Sequence, residues 1–211
     1  KGKKNMVHAL NNINLKIDDR ETVAIIGESG AGKSTLLHIM SCIDNFDGEY
    51  YLDNIDINKL SESKKSKLRS SKIGIVLQDF ALIDDFTVFE NVMTPLYFNK
   101  KIKDKKGSVM RALKKTGIAS LKSKKVSQLS GGQKQRVAIS RALVTSPEYI
   151  FADEPTGSLD SKTSEEIVKM LFDLNRNGIT IVIVTHNLEI ANQCHHIIEI
   201  KDGNIIKDIC S

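Results

Sequence analysis

The sequence predicts an α/β fold: a mostly parallel central sheet, an N-terminal antiparallel β subdomain and an inserted helical subdomain. Three observations carry this. Short apolar, β-branched runs at 21–26, 73–77, 149–152 and 180–184 read as buried strands, and three of them lead into helical patterns. Residues 12–17 alternate polar and apolar, and 49–52 and 55–57 flank an Asp53-Asn54 turn, which reads as antiparallel structure. Residues 84–146 change texture: they are rich in lysine, lack strong strands and carry helical spacing.

The elements follow in order. The alternation over 12–17 predicts a half-buried antiparallel strand. The 21–26 strand runs into a glycine-rich loop and then a helix around 35–40. Short strands follow at 49–52 and 55–57, then a buried strand at 73–77. Helices are expected over 88–98 and 109–116. After the 149–152 strand, Ile167, Met170, Leu171 and Leu174 stand at i, i+3, i+4 and i+7, one face of a helix over 161–177, with Gly178 as its C-terminal cap. The chain closes with a hairpin, 196–200 and 203–207, about Asp202-Gly203. No internal repeat or low-complexity linker is visible.

A chain of 211 residues with 40% hydrophobic content suits one domain with an inserted subdomain. Cys42, Cys194 and Cys210 show no metal-like spacing, which argues against a disulfide framework or structural zinc and fits a reducing compartment. No apolar run approaches the length of a membrane span, and no signal peptide is visible. Lys1 is not an initiator Met, so the start is expected upstream or trimmed. The net charge is +5. A nucleic-acid partner is one reading, but the lysines are scattered. Lys64, Lys65 and Lys67, and Lys100, Lys101, Lys103, Lys105 and Lys106, read as solvated faces.

Residues 27–34, Gly27, Glu28, Ser29, Gly30, Ala31, Gly32, Lys33 and Ser34, fit G-x-x-x-x-G-K-[ST] at every fixed position. Strand before and helix after supply the context of a P-loop, so the predicted core is that of a P-loop NTPase. The glycines let successive N–H groups turn inward as an anion nest, and the helix N-terminus adds partial positive charge. Lys33 supplies a compact cation for β/γ-phosphates, and the Ser34 hydroxyl can ligate Mg²⁺. ATP and Mg²⁺ are the ligands implied.

Residues 150–154 supply a second metal-side group. Asp153 closes an apolar strand at its carboxyl end, where α/β sheets place ligands, and can hold Mg²⁺ through its water shell. Glu154 follows directly and is placed to orient or deprotonate an attacking water. Leu129 precedes Ser130, Gly131, Gly132 and Gln133, which open a helix with free N–H donors and a hydroxyl. That is a second phosphate-facing surface. If it lies on another subdomain from the P-loop, a head-to-tail pair of chains is the economical way to use both.

With these motifs in hand, the chain resembles the ATP-binding domain of ABC transporters over almost its whole length. The resemblance implies a single ABC ATPase domain over 1–211. Residues 1–83 and 147–211 would form a RecA-like core with the antiparallel β subdomain, and 84–146 a helical subdomain carrying the signature loop. It makes 27–35, including Thr35, the Walker A loop and 150–154 the Walker B strand. It also implies roles for Gln78, the Q-loop glutamine that touches Mg²⁺ and water, and for Asp160 of the D-loop across a dimer interface. His186 becomes the switch histidine at the γ-phosphate; His8, His38, His195 and His196 are read as unrelated to the chemistry. The expected protein is a homodimer with ATP, peripheral on the cytoplasmic face of the cell membrane. It would drive a transmembrane permease subunit without spanning the membrane or binding nucleic acid.

Cys42-Ile-Asp44, residues 86–92 and residues 152–157 resemble the group serving macrolide and antimicrobial-peptide exporters and lipoprotein-releasing systems, so a peptide, antibiotic or lipoprotein-like cargo is implied. A non-transporting mechanotransmission ATPase, and more remotely a nucleic-acid-associated one, are the alternatives. One departure stands out. The family stacks adenine on an aromatic residue shortly before the first strand, whereas the first aromatic here is Phe46. That platform is expected upstream of Lys1.

Overall fold

A computed structural model describes residues 9–210. Strand β1 (Thr22–Ile26) is apolar and β-branched, and all five residues are buried. It leads through the glycine loop into α1 (Lys33–Met40). A hairpin follows, β2 (Tyr51–Leu52) against β3 (Ile55–Asp56); its turn residues Asp53 and Asn54 have φ of 50° and 61°, the left-handed pair of a two-residue hairpin loop. Next come α2 (Glu62–Lys72) and β4 (Ile73–Val76). Then α3 (Val88–Met93), α4 (Lys105–Lys115) and α5 (Gly131–Leu143) pack on one another, and α5 also packs on β4. The remainder is β5 (Tyr149–Asp153), α6 (Ser161–Arg176), β6 (Thr180–Val184), α7 (Leu188–Ala191), β7 (His196–Lys201) and β8 (Asn204–Cys210).

Among the described residues the main sheet runs in the order β4-β5-β6-β1-β7-β8. All neighbours are parallel except β8, which returns antiparallel to β7. Both faces are covered, as a parallel sheet requires. Ile150, Ala152, Ile181 and Ile183 face a core shared with α3, α4, α5 and α6, while Phe151, Val182, Val184, Val23 and Ile25 face one shared with α1. The period-two alternation sends neighbouring side chains to opposite cores.

Two expectations need correction. Residues 12–17 form no ladder among the described residues, and the segment opens on a bend at Asn12, φ 46°. The alternation is still used: Ile13, Leu15 and Ile17 pack half-buried on the α1-side core, and Asn12, Asn14 and Lys16 stay exposed. The anchor lies just before, where the Asn11 N–H donates to the Gly203 carbonyl at 2.7 Å. Antiparallel structure in this half is therefore the β2–β3 pair. The helix expected over 88–98 stops as α-helix at Met93 and tightens into a 3₁₀ turn, Thr94–Tyr97. Pro95 has no N–H with which to continue the α-helical ladder.

The lysine stretches are mostly exposed, with Lys65 and Lys105 half-buried. Lys105 also lies 5.5 Å from the ring centre of Tyr97. The three cysteines are free thiols, and no described helix is long and apolar enough to cross a membrane. His8 and the start of the chain lie outside the described residues.

Candidate nucleotide site

The parallel order sets the carboxyl ends of β4, β5, β6 and β1 along one edge of the sheet. Each end delivers one predicted residue or loop. Gln78 follows β4, Asp153 and Glu154 close β5, His186 follows β6, and the P-loop follows β1. They meet in a cleft of about 440 Å³ lined by Gly27, Ser29, Gly30, Gly32, Lys33, Ser34, Thr35, Gln78, Asp153, Glu154, His186 and Ala9.

The P-loop shape follows from its residues. Gly27 has φ 146°, and a Cβ there would collide with the Ile200 carbonyl, so only glycine fits. Gly32 caps α1 without a side-chain acceptor, and no acidic residue stands in the first turn. The first N–H groups of α1 are thus left for an anion, on the positive end of the helix dipole. The Lys33 ammonium arches back over the loop and donates to the Gly27 and Glu28 carbonyls, both at 2.8 Å. Glu28 and Ala31 shape the loop without lining the cleft: Glu28 accepts from the Ala31 N–H, and Ala31 is buried in the α1-side core.

Glu154 adopts φ 43°, a left-handed conformation unfavourable for a residue with a side chain, and its N–H is tied to the Val184 carbonyl at 3.0 Å. This turn leaves the Glu154 side chain only 14% exposed, against 73% for His186. Glu154 Oε2 lies 2.9 Å from His186 Nδ1 but out of alignment for a hydrogen bond, and among the described residues it has no other partner. A buried carboxylate oxygen without a donor is costly, and it is positioned to accept a proton or a water hydrogen. Gln78 is exposed, with Nε2 passing beside Gly157.

The structure does not bring residues 130–133 or Asp160 into this cleft. Ser130 caps α5 in a reciprocal box: the Gln133 N–H donates to Ser130 Oγ at 3.4 Å, and the Ser130 N–H donates to Gln133 Oε1 at 3.2 Å. Ser130 and Gly131 remain exposed. Asp160 caps α6, accepting from the Thr163 N–H at 3.0 Å and the Thr163 hydroxyl at 2.7 Å, and these donors hold its carboxyl below the usual range.

Sequence reasoning missed two links. Gln135, fully buried on α5, donates from Nε2 to the Pro155 carbonyl at 2.7 Å, one residue past Glu154. Arg141, also on α5, donates to the Phe80 carbonyl at 2.8 Å and the Ala81 carbonyl at 2.5 Å, beyond Gln78. Burial pushes the Arg141 guanidinium below its ordinary value, although Asp79 opposes this. The only hint was a charged residue within the apolar end of a helix.

The sequence model of the "ABC transporter" family matches residues 10–157. The chain belongs to the ABC transporter family. It is 44% identical over 207 residues to an uncharacterized ABC transporter ATP-binding protein, YvrO, of Bacillus subtilis, covering 97% of this chain and 90% of that one. It is 45% identical over 206 residues to the macrolide export ATP-binding/permease protein MacB of Mannheimia succiniciproducens, covering 97% of this chain but only 32% of MacB. Among solved structures it is similar to the dimeric post-hydrolysis state of the ATP-binding cassette MJ0796 bound to ADP and Pi. The TM-score is 0.90 at 42% identity, covering 100% of this chain and 94% of that one. The curated MJ0796 protein is from Methanocaldococcus jannaschii and is 45% identical over 210 residues. The chain is thus an ABC ATPase, the ATP-binding part of a transporter.

In this ABC ATPase the described residues before β1 contain no aromatic side chain. Phe46 does not take the adenine position: it packs at 6.0 Å, edge to face, on Tyr50 and does not line the cleft. The expected platform upstream of Lys1 lies outside the described residues.

Proposed function

We propose that this ABC ATPase binds Mg-ATP in the cleft and hydrolyses it in a head-to-tail dimer, driving a transmembrane permease subunit at the cytoplasmic face of the membrane. The observation that carries this reading is a division of parts. Lys33, Ser34, Gln78, Asp153, Glu154 and His186 share one cleft, while the exposed Ser130-Gly131 helix end stands outside it. A γ-phosphate held by the P-loop therefore has one open side, and a second chain's α5 N-terminus suits it. The MJ0796 cassette, solved as a dimer bound to ADP and Pi, supports the pairing of two chains.

The donor set fits magnesium: Ser34, Gln78 and Asp153 bring oxygen ligands to one cleft, the chemistry a hard dication takes. When bound, Mg²⁺ screens and orients the phosphate oxygens. Lys33 releases its two loop carbonyls to reach the β/γ-phosphates. Glu154 takes the proton of the attacking water, Gln78 orients that water, and His186 steadies the charge that develops on the γ-phosphate. ATP favours closure because only the closed dimer satisfies both faces of the phosphate. Asp160 joins the interface through the loop whose helix it caps.

Residues 84–146 act as the helical subdomain that carries the signature loop. A permease helix docks between it and the core, where Ile83 and Phe86 are exposed apolar residues close to Gln78 and Phe80. Of the expected antibiotic, peptide or lipoprotein-like cargoes, the relative named for macrolide export supports the antibiotic. The test reconstitutes the chain with a candidate permease subunit. ATP turnover stimulated by the permease and its cargo supports the reading; turnover indifferent to the permease, with no complex formed, defeats it.

A further inference from the structure

At the end of the strands opposite the nucleotide cleft, three donors of different kinds converge. β7 begins at His196 and β8 ends at Cys210, and the antiparallel register sets these residues opposite each other. β1 runs beside β7 with Val23 opposite His196, which brings Glu21 to the same edge. A Glu21 carboxylate oxygen, a His196 ring nitrogen and the Cys210 sulfur all lie within 4.8 Å of one another. None of the three belongs to the nucleotide site.

The histidine decides what the cluster is for. His196 is 2% exposed, and its Nε2 lies 2.5 Å from Asp208 Oδ1. A carboxylate accepts, so that nitrogen carries the proton. The lone pair of the neutral ring then sits on Nδ1, which is buried and has no hydrogen-bond partner among the described residues. Glu21 Oε1 lies 3.3 Å from it, out of alignment for a hydrogen bond. A buried polar atom left unpaired needs a reason. Metal-bound histidines have this arrangement, with one nitrogen on the ion and the other N–H held by a carboxylate.

We infer that Glu21, His196 and Cys210 form a binding site for a zinc-like divalent cation, with Asp208 orienting the histidine. Imidazole and thiolate together select a borderline-soft ion over Mg²⁺ or Ca²⁺. Three protein donors leave a fourth tetrahedral position for water. The ion ties the starts of β1 and β7 to the end of β8, so it acts on the rigidity of this sheet edge. The spacing of cysteines along the chain gave no sign of it, because strand pairing and not sequence proximity assembles the donors.

Cobalt(II) is the probe, added to metal-free, nucleotide-free protein. Wild type should develop visible d–d bands and a near-ultraviolet thiolate band that saturate at one equivalent and vanish on adding zinc. Cys210→Ser, at an exposed edge position, should lose the thiolate band. Asp208→Asn should weaken cobalt binding by about 10–100-fold, as removal of an orienting partner does. Both variants should bind ATP as wild type does, which separates this site from the nucleotide cleft. Cys42 is buried in the α1-side core and Cys194 in a smaller cluster with Ala24, Ile26 and Ala191, so Cys210 is the thiol the probe reads. Absence of a thiolate band in folded wild type, or its persistence in Cys210→Ser, overturns the inference.

Discussion

Arg141 donates to the main-chain carbonyl of Phe80 at 2.8 Å, binding α5, the helix capped by Ser130, to the segment that follows Gln78. Phe80 and Ala81 both hold left-handed φ, 63° and 43°, and the guanidinium takes both of their carbonyls. Farther up the same helix Gln135 holds the carbonyl beyond Glu154. One rigid element therefore touches the loops bearing Gln78 and Glu154. Arg141→Lys keeps the charge but loses the planar fork. A hydrogen bond to a charged group contributes about 1.5 kcal/mol or more, so ATP turnover should fall about tenfold. ATP affinity of the monomer should stay near wild type. Steady-state kinetics and calorimetry check the split; equal losses in both would point to a folding defect instead.

Lys33→Ala should abolish tight ATP binding and turnover, because it removes the cation facing the β/γ-phosphates. Among the described residues its ammonium otherwise bonds only to Gly27 and Glu28 carbonyls at the rim of the cleft, so thermal stability should change little. Calorimetric ATP affinity equal to wild type would sink the assignment.

Glu154→Gln should bind ATP and slow hydrolysis by about 10²–10⁴-fold, the range of a lost general base. Glutamine meets the same left-handed backbone and keeps the tie to Val184, so the loop shape survives. With hydrolysis blocked, the closed dimer should accumulate, and size-exclusion chromatography in Mg-ATP reads it. A monomer with nucleotide demonstrably bound would count against the two-chain site.

Much of the site was legible because each part is a short motif at the end of an apolar strand. Gly27, Lys33, Asp153 and Glu154 needed only local pattern and the rule that parallel strands share a carboxyl edge, whereas His186 came from the family resemblance. What escaped reading depends on pairs distant in sequence. Arg141 with Phe80, Gln135 with Pro155, and His196 with Cys210 leave no local periodicity behind. The segment at 12–17 failed differently: its alternation reported burial on one side, which a chain segment achieves without a ladder.

Mixing two inactive variants tests whether two chains share each site, and the packing at Gly132 decides which variant suits it. Gly132→Asp would set a charge before the γ-phosphate, but a Cβ at Gly132 collides with Thr163 Cγ2 of its own α6. That variant confounds charge with misfitting helices. Ser130→Asp avoids this, because aspartate caps a helix as well as serine does and can still accept from the Gln133 N–H. Its repulsion with phosphate at contact distance is about 4 kcal/mol at an effective dielectric near 20, enough to block closure. ATP binding by the Ser130→Asp monomer should be unchanged, while turnover is lost. Mixing it with Lys33→Ala gives heterodimers with one doubly defective site and one intact composite site. Partial recovery of ATPase activity on mixing shows shared sites. Heterodimers that form without any recovery mean that each chain completes its own site or that both sites must fire together, and ATP-driven dimerisation of Glu154→Gln selects the second.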